Sequence, residues 1–362
     1  MSLSGRNLPG PARAGSRSAS CARYPLGMHK RSARRGGAFV AAGLLLALLP
    51  QCSSGIKGPI DGSAAMAHVE HLCNVIGPRP PGSPELQRAG DYILAELKKL
   101  GLKPEEQVWT DPVEKIRFRN LFVQIDGTDP VAGPILGIGA HYDTKVTHGH
   151  GKADQNFRFV GAIDGGGGPA VLLELARAFK NRKAGPNIWL IWFDGEESLE
   201  FDWKDERALF GSWHFVKTMS ADKVRFPKGL RDRMKTFVLL DLIGDKDIKI
   251  DKDVTSNPTL NQIFLDTATA MGEGHRMFKD QLSTIFKDDH LPFREFGVTV
   301  VDLIDFQWRI PKERGGREKP GLQAWWHTDK DTPDKMSPAA LKFAGDLVYL
   351  AVPAIEKEFY TK

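Results

Sequence analysis

Cysteine is scarce in this chain, which has only three among its 362 residues, Cys21, Cys52 and Cys73. The first two lie in an N-terminal segment that has the composition of a leader, so Cys73 stands alone in the rest of the chain. A single thiol cannot form an internal disulfide, and it cannot build a structural zinc site, which uses several cysteines. Any metal site in this protein is therefore expected to use nitrogen and oxygen ligands.

The N-terminal segment also lacks an apolar run long enough to cross a membrane. Its apolar stretch, Ala38–Leu49, has twelve residues, whereas a spanning helix needs about 20. It follows the basic sequence "MHKRSARRGG", which begins at Met28, and this order is typical of a secretory signal. We expect residues 1–55 to be a leader with its true start at Met28, and residues 56–362 to be a single catalytic domain of an exported protein.

The leader ends in "LPQC", in which a leucine lies three residues before Cys52. This ending resembles a bacterial lipoprotein signal, in which the cysteine becomes the lipidated N-terminus. We expect Cys52 to be lipidated, and ordinary secretion and an uncleaved anchor are the alternatives. Membrane association is expected only through this N-terminal segment.

A strong excess of one charge is absent once the leader is set aside. The formal net charge is +5, but residues 1–51 contain eight Arg and Lys and no acid, and the rest has 42 basic against 45 acidic residues. A nearly neutral body gives no indication of a nucleic-acid partner. We expect the protein to be a monomer.

Apolar strands alternate with amphipathic helices along the body of the chain. Runs such as "IWLIWF", "FVLL" and "VTVVDLI" are typical of strands that helices cover on both faces. The pattern predicts an α/β fold, a three-layer sandwich with a mostly parallel, twisted central sheet in one domain. The irregular segment Asp305–Gln323 is predicted to be an exposed loop near the functional site.

Polar clusters fall where the predicted strands end or where a loop leads into a helix. They include the residues His141, Asp164, Glu196, Glu197, Asp241, Asp288 and His327. In open α/β sheets, ligands bind outside the carboxyl ends of the strands. We therefore expect these side chains to converge on one site.

Five of these residues, His141, Asp164, Glu197, Asp241 and His327, offer the nitrogen and oxygen ligands that suit Zn²⁺. Buried carboxylates are costly unless they are paired or bind a metal, which gives a reason for acids at the ends of apolar strands. Each residue alone has an ordinary explanation, such as a solvated turn, a helix cap or a structural histidine. Their occurrence together predicts a catalytic zinc site.

Seven segments of this sequence resemble the glutaminyl-peptide cyclotransferase family. They are "GAHYDTK", "FVGAIDGG", "IWFDGEES", "ALFGSWHF", "VLLDLIGD", "DDHLPFREFGV" and "WWHTDKDT", and their order and approximate spacing match those of the family. The likeness extends from about residue 77 to the C-terminus. It implies the fold of the zinc-dependent aminopeptidases of peptidase family M28.

The resemblance implies which residues bind zinc. For a cyclotransferase it implies one ion, held by Asp164, Glu197 and His327. In the related aminopeptidases the same positions hold two ions, with His141 and Asp241 completing the second site and Asp164 bridging. Both sets are present in this sequence, so the ligands alone leave the number of ions open.

The resemblance also implies roles for the residues around the metal. Glu196 becomes the proton shuttle, with Asp241 and Asp288 as its acidic hydrogen-bonding partners. Trp326 becomes a wall of the substrate pocket, and Trp203 corresponds to a second pocket aromatic.

Two reactions and one binding function fit this set of residues. The first is the closure of an N-terminal glutamine of a peptide or protein to pyroglutamate, with release of ammonia. The second is aminopeptidase hydrolysis of the first peptide bond, in which Glu196 deprotonates a metal-bound water. The third is an inactive binding protein on the same scaffold, which the presence of Glu196 and every candidate ligand disfavours.

Overall fold

The computed structural model describes residues 55–278, 283–284, 286–308, 321–322 and 325–361. The predicted leader, with Met28 and Cys52, lies outside these residues, as does most of the predicted loop Asp305–Gln323.

A six-stranded sheet forms the centre of the fold. The strands in chain order are β1 (Glu105–Thr110), β2 (Arg117–Ile125), β3 (Ile135–His141), β4 (Asn187–Phe193), β5 (Met234–Asp241), β6 (Lys252–Asp253), β7 (Ser283–Thr284), β8 (Thr299–Ile304), β9 (Gln307–Trp308) and β10 (Gly321–Leu322). The order in the sheet is β1-β2-β4-β3-β5-β8, while β6 pairs with β7 and β9 with β10. Strands β3, β4, β5 and β8 are parallel, and β1 and β2 extend one edge in antiparallel pairing. The predicted α/β class and mostly parallel sheet are confirmed.

Helices cover both faces of this sheet. They are α1 (Gly62–Glu70), α2 (Pro84–Lys99), α3 (Gly168–Phe179), α4 (Phe210–Ala221), α5 (Leu230–Arg233), α6 (Pro258–Ala270), α7 (His290–Glu295) and α8 (Pro338–Phe359). Helices α1, α2, α3, α6 and α8 contribute to the core on one face, and α4, α5 and α7 to the core on the other. The arrangement is the three-layer sandwich that the sequence predicts.

Strand β4 shows why the apolar runs form the middle of the sheet. All seven of its residues are buried. Because successive side chains point to opposite faces, Leu190 and Trp192 pack into the first core, whereas Trp189, Ile191 and Phe193 pack into the second.

Helix boundaries follow local signals in the sequence. Helix α2 begins where Ser83 accepts a hydrogen bond from the backbone N–H of Leu86, with Pro84 as the first helical residue. Beyond its end lies Gly101, whose φ of +80° is a conformation that glycine adopts without strain. These two local signals set the bounds of α2, Pro84–Lys99.

In the described part of the chain, α8 alone is long and apolar enough to cross a membrane, judged by length and composition. Its apolar segment is 61% buried inside the protein, and residues such as Leu341, Leu347 and Ile355 belong to the core. We therefore interpret α8 as a core helix.

Candidate active site

The carboxyl ends of the parallel strands bring the predicted polar residues together. His141 is the last residue of β3, Asp241 is the last residue of β5, and Glu197 lies just beyond β4. Asp164 lies in the turn that leads into α3, and His327 lies in the turn that precedes α8. Side chains separated by as many as 186 positions thus share one edge of the sheet.

Asp164, Glu197 and His327 form the first of two overlapping groups of ligand atoms. Nε2 of His327 lies 3.2 Å from Oε1 of Glu197 and 3.5 Å from Oδ2 of Asp164. The three ligand atoms lie within 4.8 Å of one another. Oδ2 of Asp164 is buried and accepts no hydrogen bond from any of the described residues, which is costly unless a cation lies beside it. One imidazole and two carboxylates fit the ligand preferences of Zn²⁺.

The second group shares Asp164 and adds His141 and Asp241. Nε2 of His141 lies 3.1 Å from Oδ1 of Asp241 and 3.3 Å from Oδ1 of Asp164. On the far side of the ring, Nδ1 of His141 lies 3.4 Å from Oδ1 of Asp143. A carboxylate behind a histidine is the usual arrangement around metal-binding imidazoles, because it fixes the ring and its tautomer.

Asp143 also makes contacts that the sequence did not predict. Its two carboxylate oxygens accept hydrogen bonds from the backbone N–H groups of Glu196 (3.2 Å) and Glu197 (3.3 Å). One side chain thus orients both the imidazole of His141 and the turn that carries the two glutamates. Its position two residues after His141, at the end of a strand, was the only signal for this role in the sequence.

The two carboxylate oxygens of Glu197 lie next to Lys145 and His327. The buried ammonium of Lys145 lies 3.4 Å from its Oε2, opposite the His327 ring on Oε1. Although burial opposes ionisation, His327 and Lys145 lower the pKa of Glu197 to about 2. The side chain is therefore an anion at neutral pH, as a metal ligand must be. Lys145 is the last residue of the segment "GAHYDTK", and the sequence did not indicate its role.

Glu196, next in the chain, has the opposite electrostatic environment. Its side chain is buried, and burial raises its pKa well above the usual range, as do the charges of Glu197, Asp289 and Asp241, while His141 opposes the shift. A carboxylate with a raised pKa can take up and release a proton near neutral pH. The two adjacent glutamates are therefore distinguished by their neighbours.

Several backbone positions in and beside the site have positive φ. Gly165, directly after Asp164, has φ +92°, and a Cβ there would lie 2.1 Å from the carbonyl oxygen of Asp143. His327 has φ +50° although it is not glycine. For a residue other than glycine, such a conformation costs of order 1–3 kcal/mol and is found at functional sites where the surrounding structure holds it.

A cavity of about 230 Å³ opens onto these residues. Its lining includes the predicted Asp164, Glu196, Glu197, Trp203, Asp241, Asp288, Trp326 and His327, and also Phe286, Lys287, Ile304 and Phe306. The Trp326 ring stacks on His327 with centroids 3.8 Å apart, and Phe306 contacts the Trp326 ring edge-to-face at 5.0 Å. The cavity has a polar floor and aromatic walls. The sequence did not indicate Phe286, and it indicated Phe306 only as part of the segment Asp305–Gln323 predicted near the site; the two rings contact each other.

Asp288 lies at the edge of this cavity, in a buried group of acids. Burial and the charges of Asp241, Asp302 and Glu196 raise its pKa well above the usual range. With His290 and Asp302 it forms a third group of possible ligand atoms within 4.8 Å. Asp288 was predicted beside Glu196, and the structure places both on the same cavity.

The sequence profile of peptidase family M28 matches residues 120–352 of this chain. The matched region contains every residue of the two groups of ligand atoms, and Glu196 between them.

Individual relatives include both reaction types. Glutaminyl-peptide cyclotransferase of Gloydius blomhoffii is 30% identical over 268 residues, which cover 62% of this chain and 67% of that protein. A glutaminyl-peptide cyclotransferase-like protein of Bos taurus is 26% identical over 331 residues, covering 78% and 77%. Aminopeptidase YwaD of Bacillus subtilis (strain 168) is 30% identical over 229 residues, covering 62% of this chain but 42% of that protein.

Solved structures of glutaminyl cyclases have the same fold. The crystal structure of Acidobacteriales bacterium glutaminyl cyclase has a TM-score of 0.69 at 29% identity, covering 85% of this chain and 98% of that one. The Porphyromonas gingivalis glutaminyl cyclase has a TM-score of 0.67 at 25% identity, covering 82% and 99%. Nearly the whole of each of these chains therefore has a counterpart here.

Proposed function

The chain belongs to peptidase family M28, among its glutaminyl-peptide cyclotransferases, and we propose that it converts the N-terminal glutamine of peptides and proteins to pyroglutamate with release of ammonia. The observation that carries this proposal is the small cavity with aromatic walls. Its floor holds Asp164, Glu197 and His327, with Glu196 beside them.

Asp164, Glu197 and His327 would hold one zinc ion. The fit rests on their ligand atoms, on the unpartnered buried Oδ2 of Asp164, and on the lowered pKa of Glu197. Zinc bound there supplies a Lewis acid for the side-chain carbonyl of the substrate glutamine.

Glu196 would transfer the proton. It would accept a proton from the α-amine of the substrate as that nitrogen attacks the side-chain carbonyl. It would then give the proton to the side-chain amide nitrogen, which leaves as ammonia. General acid–base catalysis of this kind contributes about 10²–10⁴-fold. Asp241 and Asp288 line the same cavity, and the charge of Asp241 favours the protonated form of Glu196.

The aromatic walls would select the substrate conformation. Ring closure requires the glutamine side chain to fold back onto its own amine, and Trp326, Trp203 and Phe306 line the cavity of about 230 Å³ that would hold it. Holding the reacting atoms together in this way lowers the entropic part of the barrier.

Aminopeptidase activity is the second candidate, and one observation favours it. His141, Asp164 and Asp241 form a complete second group of ligand atoms, which is what a two-zinc peptidase requires. The likeness to aminopeptidase YwaD points the same way. Counting zinc per chain in protein purified without added metal addresses this point, since one ion favours the cyclotransferase and two favour the peptidase.

Two peptides separate the reactions directly. We expect a glutamine-initiated peptide to lose the mass of one ammonia molecule, with free ammonia in solution, and a leucine-initiated peptide to remain intact. The Glu196→Gln variant is the control. Because an amide cannot exchange protons at neutral pH, this variant should leave the glutamine-initiated peptide unchanged. Release of free leucine as the main product, without ammonia from the glutamine peptide, would establish the aminopeptidase instead.

The protein would meet its substrates outside the cytoplasm. The proposal rests on the basic and apolar leader before Cys52 in the sequence, with Cys52 as the lipid attachment site and residues 56–362 as the catalytic domain. A monomeric enzyme with peptide N-termini as its only macromolecular partners is sufficient for this function.

A further inference from the structure

The segment 160–165, which carries Asp164, is held from one side by a buried carboxylate. Oδ1 of Asp331 accepts a hydrogen bond from the backbone N–H of Ile163 (2.8 Å), and Oδ2 accepts one from the N–H of Asp164 itself (3.1 Å). The Asp331 side chain is 1% exposed. Asp331 lies four residues after His327, and its own N–H donates to the carbonyl of Thr328. The Asp331 side chain therefore connects the turn that contains His327 to the backbone of Asp164.

A buried guanidinium holds the same segment from the other side. Arg79 is fully buried, and its Nη1 and Nη2 donate to the carbonyls of Val160 (3.0 Å), Gly161 (3.1 Å) and Gly165 (3.1 Å). Nη1 also donates to the carbonyls of residues 72 and 77, and Nε donates to that of residue 142. Throughout the described residues, no carboxylate lies within ion-pair distance of this guanidinium. Its charge is compensated by backbone carbonyl groups.

The two contacts are complementary. The carboxylate of Asp331 accepts from N–H groups of the segment, and the guanidinium of Arg79 donates to its C=O groups. The segment contains Asp164 and Gly165 with dihedral angles outside the helical range, so regular helical hydrogen bonding does not fix its conformation. The buried side chains of Asp331 and Arg79 supply the contacts that hold it.

We propose that Asp331 and Arg79 are positioning residues that hold Asp164 at binding distance from His327 and thereby set the affinity of the site for zinc. The inference rests on the proposed function only in taking Asp164 and His327 as zinc ligands. Partners behind metal ligands typically affect metal affinity by about 10- to 100-fold, and we expect a loss in that range when either contact is removed.

Asp331→Asn is the sharpest test, because it replaces one acceptor oxygen with an amide NH₂ group at nearly constant volume. Both oxygens of the carboxyl group have lone pairs, whereas the amide nitrogen of asparagine has none to offer and would oppose one backbone N–H. Arg79→Lys tests the other side, since an ammonium cannot reach all the carbonyls that the planar guanidinium reaches. Asp334→Asn is the matched control. Asp334 lies three residues after Asp331, is exposed, and pairs only with Thr332 and Lys335 among the described residues.

Zinc affinity is measured by competition with a chelator, and the absorption spectrum of the Co²⁺-substituted protein reports the ligand geometry. We expect Asp331→Asn and Arg79→Lys to bind zinc about 10- to 100-fold more weakly with an altered Co²⁺ spectrum, and Asp334→Asn to match the parent. If Asp331→Ala is tested and does not fold, the two milder variants still decide the question.

A lower melting temperature with parental zinc affinity and Co²⁺ spectrum would overturn the inference, because it would show a purely structural role. The parent protein separates this result from a failure of the proposed function. If the parent binds no zinc, the proposed function is wrong; if parent and variants bind it equally tightly, only the positioning role is wrong.

Discussion

The two adjacent glutamates offer the most discriminating experiment on this protein. Replacing each with glutamine changes one oxygen to an NH₂ group at nearly constant volume. We expect Glu196→Gln to keep its zinc and lose turnover, and Glu197→Gln to lose zinc. The difference follows from their neighbours, since Glu197 lies between His327 and Lys145 whereas burial and nearby acids raise the pKa of Glu196.

The structure indicates the size of each effect. For Glu196, loss of the proton-transfer group should lower kcat by about 10²–10⁴-fold, while the peptide still binds. For Glu197, the substitution leaves the ammonium of Lys145 buried without the carboxylate 3.4 Å away. Removing one partner of a buried ion pair costs about 3–5 kcal/mol, so this variant should also unfold at lower temperature than the parent.

The assay combines metal analysis, thermal unfolding and ammonia release from a glutamine-initiated peptide on the same three preparations. Glu196→Gln serves as the matched control for Glu197→Gln, because both remove one carboxylate from the same turn. Full zinc in Glu197→Gln, or zinc loss in Glu196→Gln, would show that the two roles are assigned wrongly. Parental turnover in Glu196→Gln would refute its part in proton transfer.

Four further predictions concern the rest of the chain. His327→Ala should remove most bound zinc. His71→Ala should leave it, because the His71 ring stacks on Tyr92 and belongs to none of the three groups of ligand atoms; equal zinc in the two variants would place the site elsewhere. Trp326→Ala should raise KM for a glutamine-initiated peptide more than it lowers kcat, as initial rates would show, and an unchanged KM would remove Trp326 from the pocket wall. Burial and the charge of Asp253 raise the pKa of Asp302 well above its usual range. Such a group stabilises the fold at low pH and loses that contribution as pH rises through the raised pKa. The zinc-free protein should therefore melt at a higher temperature at about pH 5.5 than at about pH 8, and the reverse order would contradict this. Cys52→Ser should move the protein from the membrane fraction to the soluble fraction, and unchanged fractionation would end the lipoprotein interpretation.

The sequence alone determined the layer architecture and the kinds of residue at the site. Continuous apolar runs predicted the buried strands, because only a strand covered on both faces needs apolar side chains on both. Strand β1 was missed, since it is a half-exposed edge strand whose identity depends on pairing with β2. The sequence indicated a helix around His68 but did not predict the bounds of α1, because five of its nine residues are glycine, serine or alanine and its periodicity is weak.

Only the tertiary structure decided which polar groups meet and what each one does. The order of residues in the chain does not show that Asp143 holds both glutamates, that Lys145 faces Glu197, or that Asp331 bonds to the backbone of Asp164. These contacts join segments that lie far apart in the chain. The sequence placed two glutamates side by side, and their different pKa shifts arise from charges that folding brings to each, because electrostatic effects depend on distance and burial in space.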